Sequence, residues 1–371
     1  MNLSEFLNIA SSIKSDPKYF LAVNFGCRVN SAEINQLSQI LVDQNFLPVN
    51  KAQNSPNIII INTCSITQKG EKESLSKVRH LKKQFPNSLI FVTGCAHLDK
   101  VSKLKSVYVF DNQSKENILS DTNCAYTSKI NDKFSHSHKF ILKIQSGCTQ
   151  FCSYCTVPYR RQYLFSLSPK KAIETVNQAI KNGYQELIIT GVNLEQYQFG
   201  LSKLIKTILA KTQIKKISFG SIPLNTIDKT FISLYQNPLY QPRLPTFLHI
   251  PIQSGSDKIL KLMNRPYTRE NIIKKFNLLK SIKVPFFQGG VPRGQRGLTF
   301  GTDIIVGFPK ETATDFQKTY TLCQNLNFKK IHTFRFSPRP QTLAHYYHQI
   351  NPHIKSGIIK NRSQKIRQLN A

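Results

Sequence analysis

The chain has no stretch of about 18 or more consecutive apolar residues, the length a membrane-spanning helix requires. Its first residues, MNLSEFLNIASSIKSDPKYF, lack the charged start, apolar middle and small-residue cleavage site of a secretory leader. Together these absences predict a soluble, cytoplasmic protein with no membrane partner. Acidic residues are scarce as well: 20 Asp and Glu stand against 51 Lys and Arg, a formal net charge of +31. The excess runs along the whole chain rather than in one tail, and a field of that sign predicts a polyanionic partner, nucleic acid before others. Charge alone does not choose between DNA, tRNA and the ribosome. No internal repeat of solenoid length occurs.

The arrangement of a secreted disulfide scaffold is also missing. Eight cysteines lie in 371 residues, and three of them crowd into positions 148–155. In a long chain without a leader, that pattern points to metal or redox chemistry. The length predicts two domains.

Apolar runs bounded by Gly, Asn and Pro predict strands at about 19–24, 57–62 and 88–93, separated by helices over 31–45 and 71–85. That alternation implies a parallel α/β sheet. Each strand runs directly into a cysteine: YFLAVNFGC ends at Cys27, NIIIINTC at Cys64 and SLIFVTGC at Cys95. The carboxyl ends of parallel strands share one edge of a sheet, so the three thiols are expected to meet there as a ligand set. The alternative is three buried cysteines that merely pack. Cys124 and Cys323 lack this setting and read as structural.

Residues 111–138 are polar and without period, which places a linker there, centred on 126–138. A second alternation follows. Strands are expected at 139–145, 186–190, 215–221, 246–252, 301–306 and 330–336, with helices near 169–182, 201–212, 225–236, 256–282 and 311–326. Six β/α units predict a partial (β/α)6 barrel whose functional face is again the strand carboxyl ends. Residues 285–300, PFFQGGVPRGQRGLTF, break the rhythm and predict a flexible basic loop. Its Arg293 and Arg296 are candidates for RNA contact, with an incidental surface insertion as the alternative.

After the strand KFILKIQ comes SGCTQFCSYCTVPYRR, which spaces Cys148, Cys152 and Cys155 as Cys-x3-Cys-x2-Cys. A [4Fe–4S] cluster normally takes four cysteines, so a three-cysteine loop leaves one iron open to a cofactor. Structural zinc wants a fourth Cys or His nearby, and TVPYRRQYLFS offers neither.

CTQFCSYC followed by VPY resembles the radical S-adenosylmethionine superfamily, and within it the methylthiotransferase family of the MiaB/RimO class. FGCRVNSAE, INTCSITQKGEKES, VTGCA, TGVNLEQY, LHIPIQSGSDKILKLMNRPYT and GTDIIVGFPKET extend the likeness over roughly residues 19 to 340. The resemblance implies an N-terminal methylthiotransferase domain over 1–125 and a linker over 126–138. A radical core over 139–345 and a basic tail over 346–371 follow, without the family's terminal TRAM barrel. It implies two [4Fe–4S] clusters, an auxiliary one on Cys27, Cys64 and Cys95 and a radical-generating one on Cys148, Cys152 and Cys155. S-adenosylmethionine is then expected near Tyr154, Gly191, Asn193, Gln253, Ser254 and Gly307. RNA is expected near Arg160, Arg161, Arg293 and Arg296.

The implied reaction inserts sulfur and a methyl group into a tRNA adenosine, fed by an electron donor such as flavodoxin or ferredoxin. Cys-Arg-Val-Asn at 27–30, Asn-Thr-Cys-Ser-Ile-Thr at 62–67 and Thr-Gly-Val-Asn at 190–193 look most like MtaB-type enzymes of threonylcarbamoyladenosine at tRNA position 37. The other substrates of the family are isopentenyladenosine in tRNA and an aspartate of a small-subunit ribosomal protein. A basic RNA-binding protein with structural clusters is the non-enzyme alternative. The sequence departs from the family pattern at Gln162 after Arg161, at Leu167 after Ser166, and around Ile222, Pro223 and Leu224.

Overall fold

The computed structural model describes residues 3–49, 55–121, 139–288, 291–351 and 353–370. Two compact units emerge. The first comprises Met1–Cys148, Thr156–Val192 and Thr212–Ile214; the second comprises Thr149–Cys155, Asn193–Lys211 and Lys215–Ala371.

The first unit is built on an all-parallel sheet of order β2-β1-β3-β4-β5, with β1 Lys18–Asn24, β2 Phe46–Pro48, β3 Ile58–Thr63, β4 Leu89–Gly94 and β5 Val107–Val109. Helices α1 (Leu3–Ser11), α2 (Arg28–Asp43), α3 (Gln68–Gln84), α4 (Asp99–Ser102) and α5 (Asn112–Asp121) connect or cover its strands. The isoleucine run shows why β3 is central. Ile58 and Ile60 join one core with Leu37 and Phe91, while Ile59 and Ile61 join another with Val78 and Val92. Successive side chains point to opposite faces, so a strand covered on both sides reads as continuous rather than alternating apolar sequence. All four isoleucines are fully buried, each stabilising the fold by about 1.5–3 kcal/mol.

A further sheet in this unit has the order β7-β6-β8, with β6 Lys139–Ser146, β7 Phe165–Ser166 and β8 Glu186–Gly191. β8 runs parallel to β6, and β7 antiparallel. One expectation is corrected here: the polar segment from residue 111 is helical over Asn112–Asp121. Its buried face mixes the charges of Lys115 and Glu116 with the core residues Ile118 and Leu119, and two adjacent apolar residues in ten are too few to show a helical period. The rest of the expected linker, 126–138, and Cys124 lie outside the described residues.

In the second unit, β10 (Phe247–His249), β13 (Thr299–Val306) and β14 (Lys330–Arg335) form a parallel sheet of order β10-β13-β14, and β9 spans Lys216–Phe219. The single helix expected over 256–282 is two, Asp257–Leu262 and Arg269–Lys280. Between them Asn264 turns left-handed at φ 55 and Pro266 forbids continuation. A capping box of Thr268 and Asn271 then restarts the chain.

The loop expected over 285–300 is also corrected. β11 (Lys283–Gln288) and β12 (Val291–Gly297) pair antiparallel, and β13 follows at Thr299. A two-stranded ribbon pairs its own backbone, and its prolines and glycines are tolerated on free edges. Among the described residues no helix is long and apolar enough to cross a membrane.

Candidate functional site

Three neighbouring strands of the first unit end in cysteine. β1 leads through Phe25 and Gly26 to Cys27, β3 to Cys64 and β4 to Cys95, and the register aligns Asn24 with Asn62 and Thr63 with Gly94. Side chains at the strand ends hold the turns together. Asn30 Nδ2 donates to Phe25 O at 2.7 Å and to Thr63 O at 3.0 Å, and Thr63 Oγ1 donates to Thr93 O at 2.7 Å.

Two glycines are required. Gly94 (φ +111) would place a Cβ 2.4 Å from Thr63 O, and Gly26 (φ +100) would place one 2.9 Å from Cys64 Sγ. Burial pushes the Cys64 thiol up, and Cys95 and Cys27 push it further, so the three sulfurs sense one another. Desolvation likewise raises the Cys27 thiol, against the pull of Asn30 and Arg161.

An all-sulfur donor set suits iron–sulfur chemistry. Among the described residues, only His249, Asp303 and His332 draw three ligand atoms within 4.8 Å of one another. The strand-end thiols are brought to one sheet edge by the register of β1, β3 and β4, and three sulfur ligands there fit a cluster.

Beneath Cys95 lies a buried ionic network. Arg161 forks onto Glu33, Nη1 to Oε1 at 2.6 Å and Nη2 to Oε2 at 3.0 Å. The same guanidinium donates to Asn30 Oδ1 at 3.0 Å and, through Nε, to Cys95 Sγ at 3.4 Å. Lys115 Nζ sits 2.6 Å from Glu33 Oε2, and Lys143 bridges Glu33 (3.2 Å) and Glu116 (2.7 and 2.9 Å). Arg161 is only 4% exposed. The expectation that it contacts RNA is thereby corrected, because its donors are engaged by Glu33, Asn30 and Cys95 inside the protein.

The loop after β6 leaves the strand at Gly147, whose φ of +80 and closeness to Tyr163 O exclude a side chain, and Cys148 follows. In the second unit the same loop is stitched to the segment LKLMNR. Ser153 N donates to Met263 O at 3.1 Å, Ser153 Oγ to Leu262 O at 2.7 Å, and Asn264 Nδ2 to the carbonyls of Gln150 and Phe151 at 3.2 and 3.1 Å. Arg265 Nη1 donates to Cys152 Sγ at 3.3 Å, while its Nε donates to Tyr267 Oη at 2.8 Å. Thr149 and Gln196 exchange two hydrogen bonds, which ties the loop to the turn after β8. Sequence reading singled out LKLMNR as a motif but missed that Asn264 and Arg265 brace the cysteine loop. The left-handed Asn before Arg-Pro was the available signal.

Tyr154 packs against the cluster of Ile259, Met263, Ile305, Phe308 and Ala344, and burial raises its phenol well above the ordinary value. Gly191 closes β8, and Asn193 caps a short turn by accepting from Glu195 N at 3.2 Å. Gln253 adopts φ +67 and bridges Ile304. Ser254 is 1% exposed, and its hydroxyl is shared with Thr319 at 3.2 Å and with Ser256 N. That side chain is a packing joint and not a cofactor contact. Gly307 (φ +75) packs where a Cβ would meet Ile359 at 2.7 Å.

Arg160 lines a cleft of about 320 Å³ with Gly94, Ala96, Tyr159 and Tyr163, beside Cys95. Arg296 is exposed and donates to Thr246 Oγ1 at 3.1 Å. Arg293 lies in β12, and its side chain is outside the described ones. Cys323 is buried, with its thiol pushed up to about 12.

Sequence reading also missed a polar trio in the second unit: His249 Nε2 and His332 Nδ1 lie 3.0 and 3.2 Å from Asp303 Oδ1. The trio sits on the face of the sheet opposite the buried Leu248, Phe300, Thr302 and Ile304.

Parallel β/α units carrying a three-cysteine loop after their first strand define a radical S-adenosylmethionine enzyme. Residues 142–323 match the Radical SAM superfamily, and residues 19–112 match the uncharacterized protein family UPF0004. A threonylcarbamoyladenosine tRNA methylthiotransferase of Chlamydia pneumoniae is 32% identical over 88% of this chain and 77% of its own length. Its counterpart in Bacillus subtilis is 28% identical over 89% and 76%. A tRNA-2-methylthio-N(6)-dimethylallyladenosine synthase of Thermodesulfovibrio yellowstonii is 30% identical over 86% and 76%. The radical S-adenosylmethionine methyltransferase TsrM of Kitasatospora setae superposes with a TM-score of 0.62 over 88% of this chain and 77% of that one. Its 10% identity makes this a likeness of fold alone. The chain belongs to the radical S-adenosylmethionine methylthiotransferase family, and its cofactors are S-adenosylmethionine and [4Fe–4S] clusters.

Proposed function

We propose that this enzyme transfers a methylthio group to carbon 2 of N6-threonylcarbamoyladenosine at position 37 of tRNA. The observation that carries the reading is the pair of cysteine trios on one chain, a local loop and a set of three strand ends. One centre is needed to start a radical reaction and a second to deliver sulfur. Bound and reduced, the Cys148–Cys152–Cys155 centre with S-adenosylmethionine supplies a carbon radical able to take an unactivated hydrogen. Protein side chains do the holding: Arg265 and Asn264 fix the loop, and Arg161 and Asn30 fix the strand ends. Tyr154, Gly191, Asn193, Gln253 and Gly307 stand around the cofactor in this reading.

The choice of threonylcarbamoyladenosine rests on the wording of the strand-end motifs and on relatives named for that nucleoside. Support for RNA comes from the net charge of +31 and from the cleft beside Cys95. Arg160 and the exposed Tyr159 and Tyr163 there offer a cation and two stacking faces. Arg293 and Arg296 are proposed as further RNA contacts. Residues 1–125 act as the sulfur-delivering domain, 139–345 as the radical core with 126–138 between them, and 346–371 as a basic tail. The setting is cytoplasmic, and electrons come from a donor such as flavodoxin or ferredoxin.

Nucleoside mass spectrometry of tRNA from cells with and without the gene tests the proposal. Loss of the 2-methylthio form of threonylcarbamoyladenosine is expected. Its persistence, or loss of the isopentenyl form instead, overturns the substrate assignment.

A further inference from the structure

Among the described residues, the buried network under Cys95 is unbalanced. Arg161, Lys115 and Lys143 bring three cations, whereas Glu33 and Glu116 bring two carboxylates, and each of these residues is less than 9% exposed. Burying an uncompensated charge is costly, so a buried surplus calls for an anionic partner. One donor of the network reaches beyond the carboxylates: Arg161 Nε–H points at Cys95 Sγ, 3.4 Å away. A cysteine that ligates iron must surrender its proton, and the sulfur that results is the anion that completes the count. The guanidinium is held for this contact. Glu33 grips both terminal nitrogens, Asn30 accepts from one of them, and Asn30 also ties the Cys27 turn to the end of β3 before Cys64. All of this lies within the first unit.

We propose that Arg161, locked by Glu33, is the positioning residue of the strand-end cluster, holding Cys95 in place and favouring the reduced cluster through its hydrogen bond to sulfur. Hydrogen bonds to cluster sulfurs and nearby positive charge stabilise the more negative redox state and so raise the reduction potential. Glu33 is part of the device because it aligns the fork while removing most of its charge. Lysine lacks that fork and cannot reproduce both grips. The inference rests on the reading that Cys27, Cys64 and Cys95 hold the auxiliary cluster.

The test uses the full chain with Cys148, Cys152 and Cys155 all replaced by alanine, so that iron can load only at the strand ends. After anaerobic reconstitution, iron and sulfide are counted and the cluster is titrated against potential by electron paramagnetic resonance. Into this parent go Arg161→Lys, Arg161→Gln and the pair Glu33→Gln with Arg161→Gln. Arg161→Gln alone leaves Glu33 without its fork, and it is expected to lose most of its iron.

The double variant removes both charges. It is expected to regain iron yet hold about tenfold less reduced cluster at a fixed potential, a shift of about 59 mV for one electron, with Arg161→Lys shifted in the same direction by less. Full iron with the parent's potential in both the lysine and the double variant overturns the role of Arg161. A parent that binds no iron at all overturns the assignment of the trio itself, and the inference with it. Those two failures are distinct in the iron count alone.

Discussion

Among the described residues each cysteine trio accepts a hydrogen bond from an arginine, but the two arginines are held in different ways. At the strand ends Arg161 donates to Cys95 from within a buried fork on Glu33. In the loop Arg265 donates to Cys152 while bonded to the Tyr267 phenol and stacked 4.9 Å over its ring. The strand-end site is assembled by tertiary structure, from positions 37 and 31 residues apart, and its arginine is neutralised by carboxylate. The loop site is assembled locally, and among the described residues no carboxylate is paired with its arginine, whose charge stands beside sulfur. Convergent ligands need a rigid charged frame, whereas a short loop needs only bracing.

Cysteine replacement breaks the comparison most sharply. Cys64→Ala is expected to remove roughly four irons, as is Cys152→Ala, but the consequences should separate. The first variant should still cleave S-adenosylmethionine under reduction without forming methylthiolated nucleoside, and the second should do neither. Iron counting together with detection of 5′-deoxyadenosine checks both, and cleavage that survives Cys152→Ala contradicts the division of labour.

Gly94→Ala comes next. The new Cβ would lie 2.4 Å from Thr63 O at φ +111, so a loss of about 2–3 kcal/mol is expected from strain and displacement of the strand end. Denaturant unfolding of the iron-free chain reads the stability. Iron counting on variants lacking the loop cysteines reads whether the strand-end site alone has suffered.

Arg265→Gln sharpens the contrast at the loop. It removes a charge-assisted bond worth about 1.5–3 kcal/mol, so cleavage of S-adenosylmethionine is expected to slow roughly tenfold to a hundredfold while iron content holds. The cysteines of a short loop can close on a cluster without it. Coupled loss of iron and rate would make Arg265 a second anchor like Arg161 and erase the distinction.

This contrast also explains what the sequence disclosed. The three strand ends were legible because a β-branched run such as NIIII is buried on both faces and stops at its cysteine, and the loop because its ligands are neighbours in the chain. The charged frame beneath the strand ends was not legible. Glu33, Lys115, Lys143 and Arg161 come from four separate elements, and a buried Lys reads in sequence like any exposed Lys. For the same reason Asn112–Asp121 passes for linker: half of its inward face is charged, and Ile118 and Leu119 alone are too few for apolar periodicity to register. The hairpin at Lys283–Gly297 escaped because pairing between its own two strands supplies hydrogen bonds without any apolar pattern.

Asn264→Gly is expected to have the smallest effect, and it isolates bracing from strain. Asn264 sits at φ 55 and donates to the carbonyls of Gln150 and Phe151. Glycine accepts that backbone conformation freely, so the substitution removes the two hydrogen bonds alone, about 0.5–1.5 kcal/mol each and less where water replaces them at an exposed loop. Once iron has loaded, the cluster itself ties the loop, and the melting temperature of the holoenzyme should move by no more than a few degrees. In the iron-free chain the loop has lost its brace and must be ordered during assembly, so reconstitution should slow severalfold at the loop and not at the strand ends. Equal slowing at both sites would mean that Asn264 acts on the whole fold, and local bracing would no longer distinguish the loop from the converging strands.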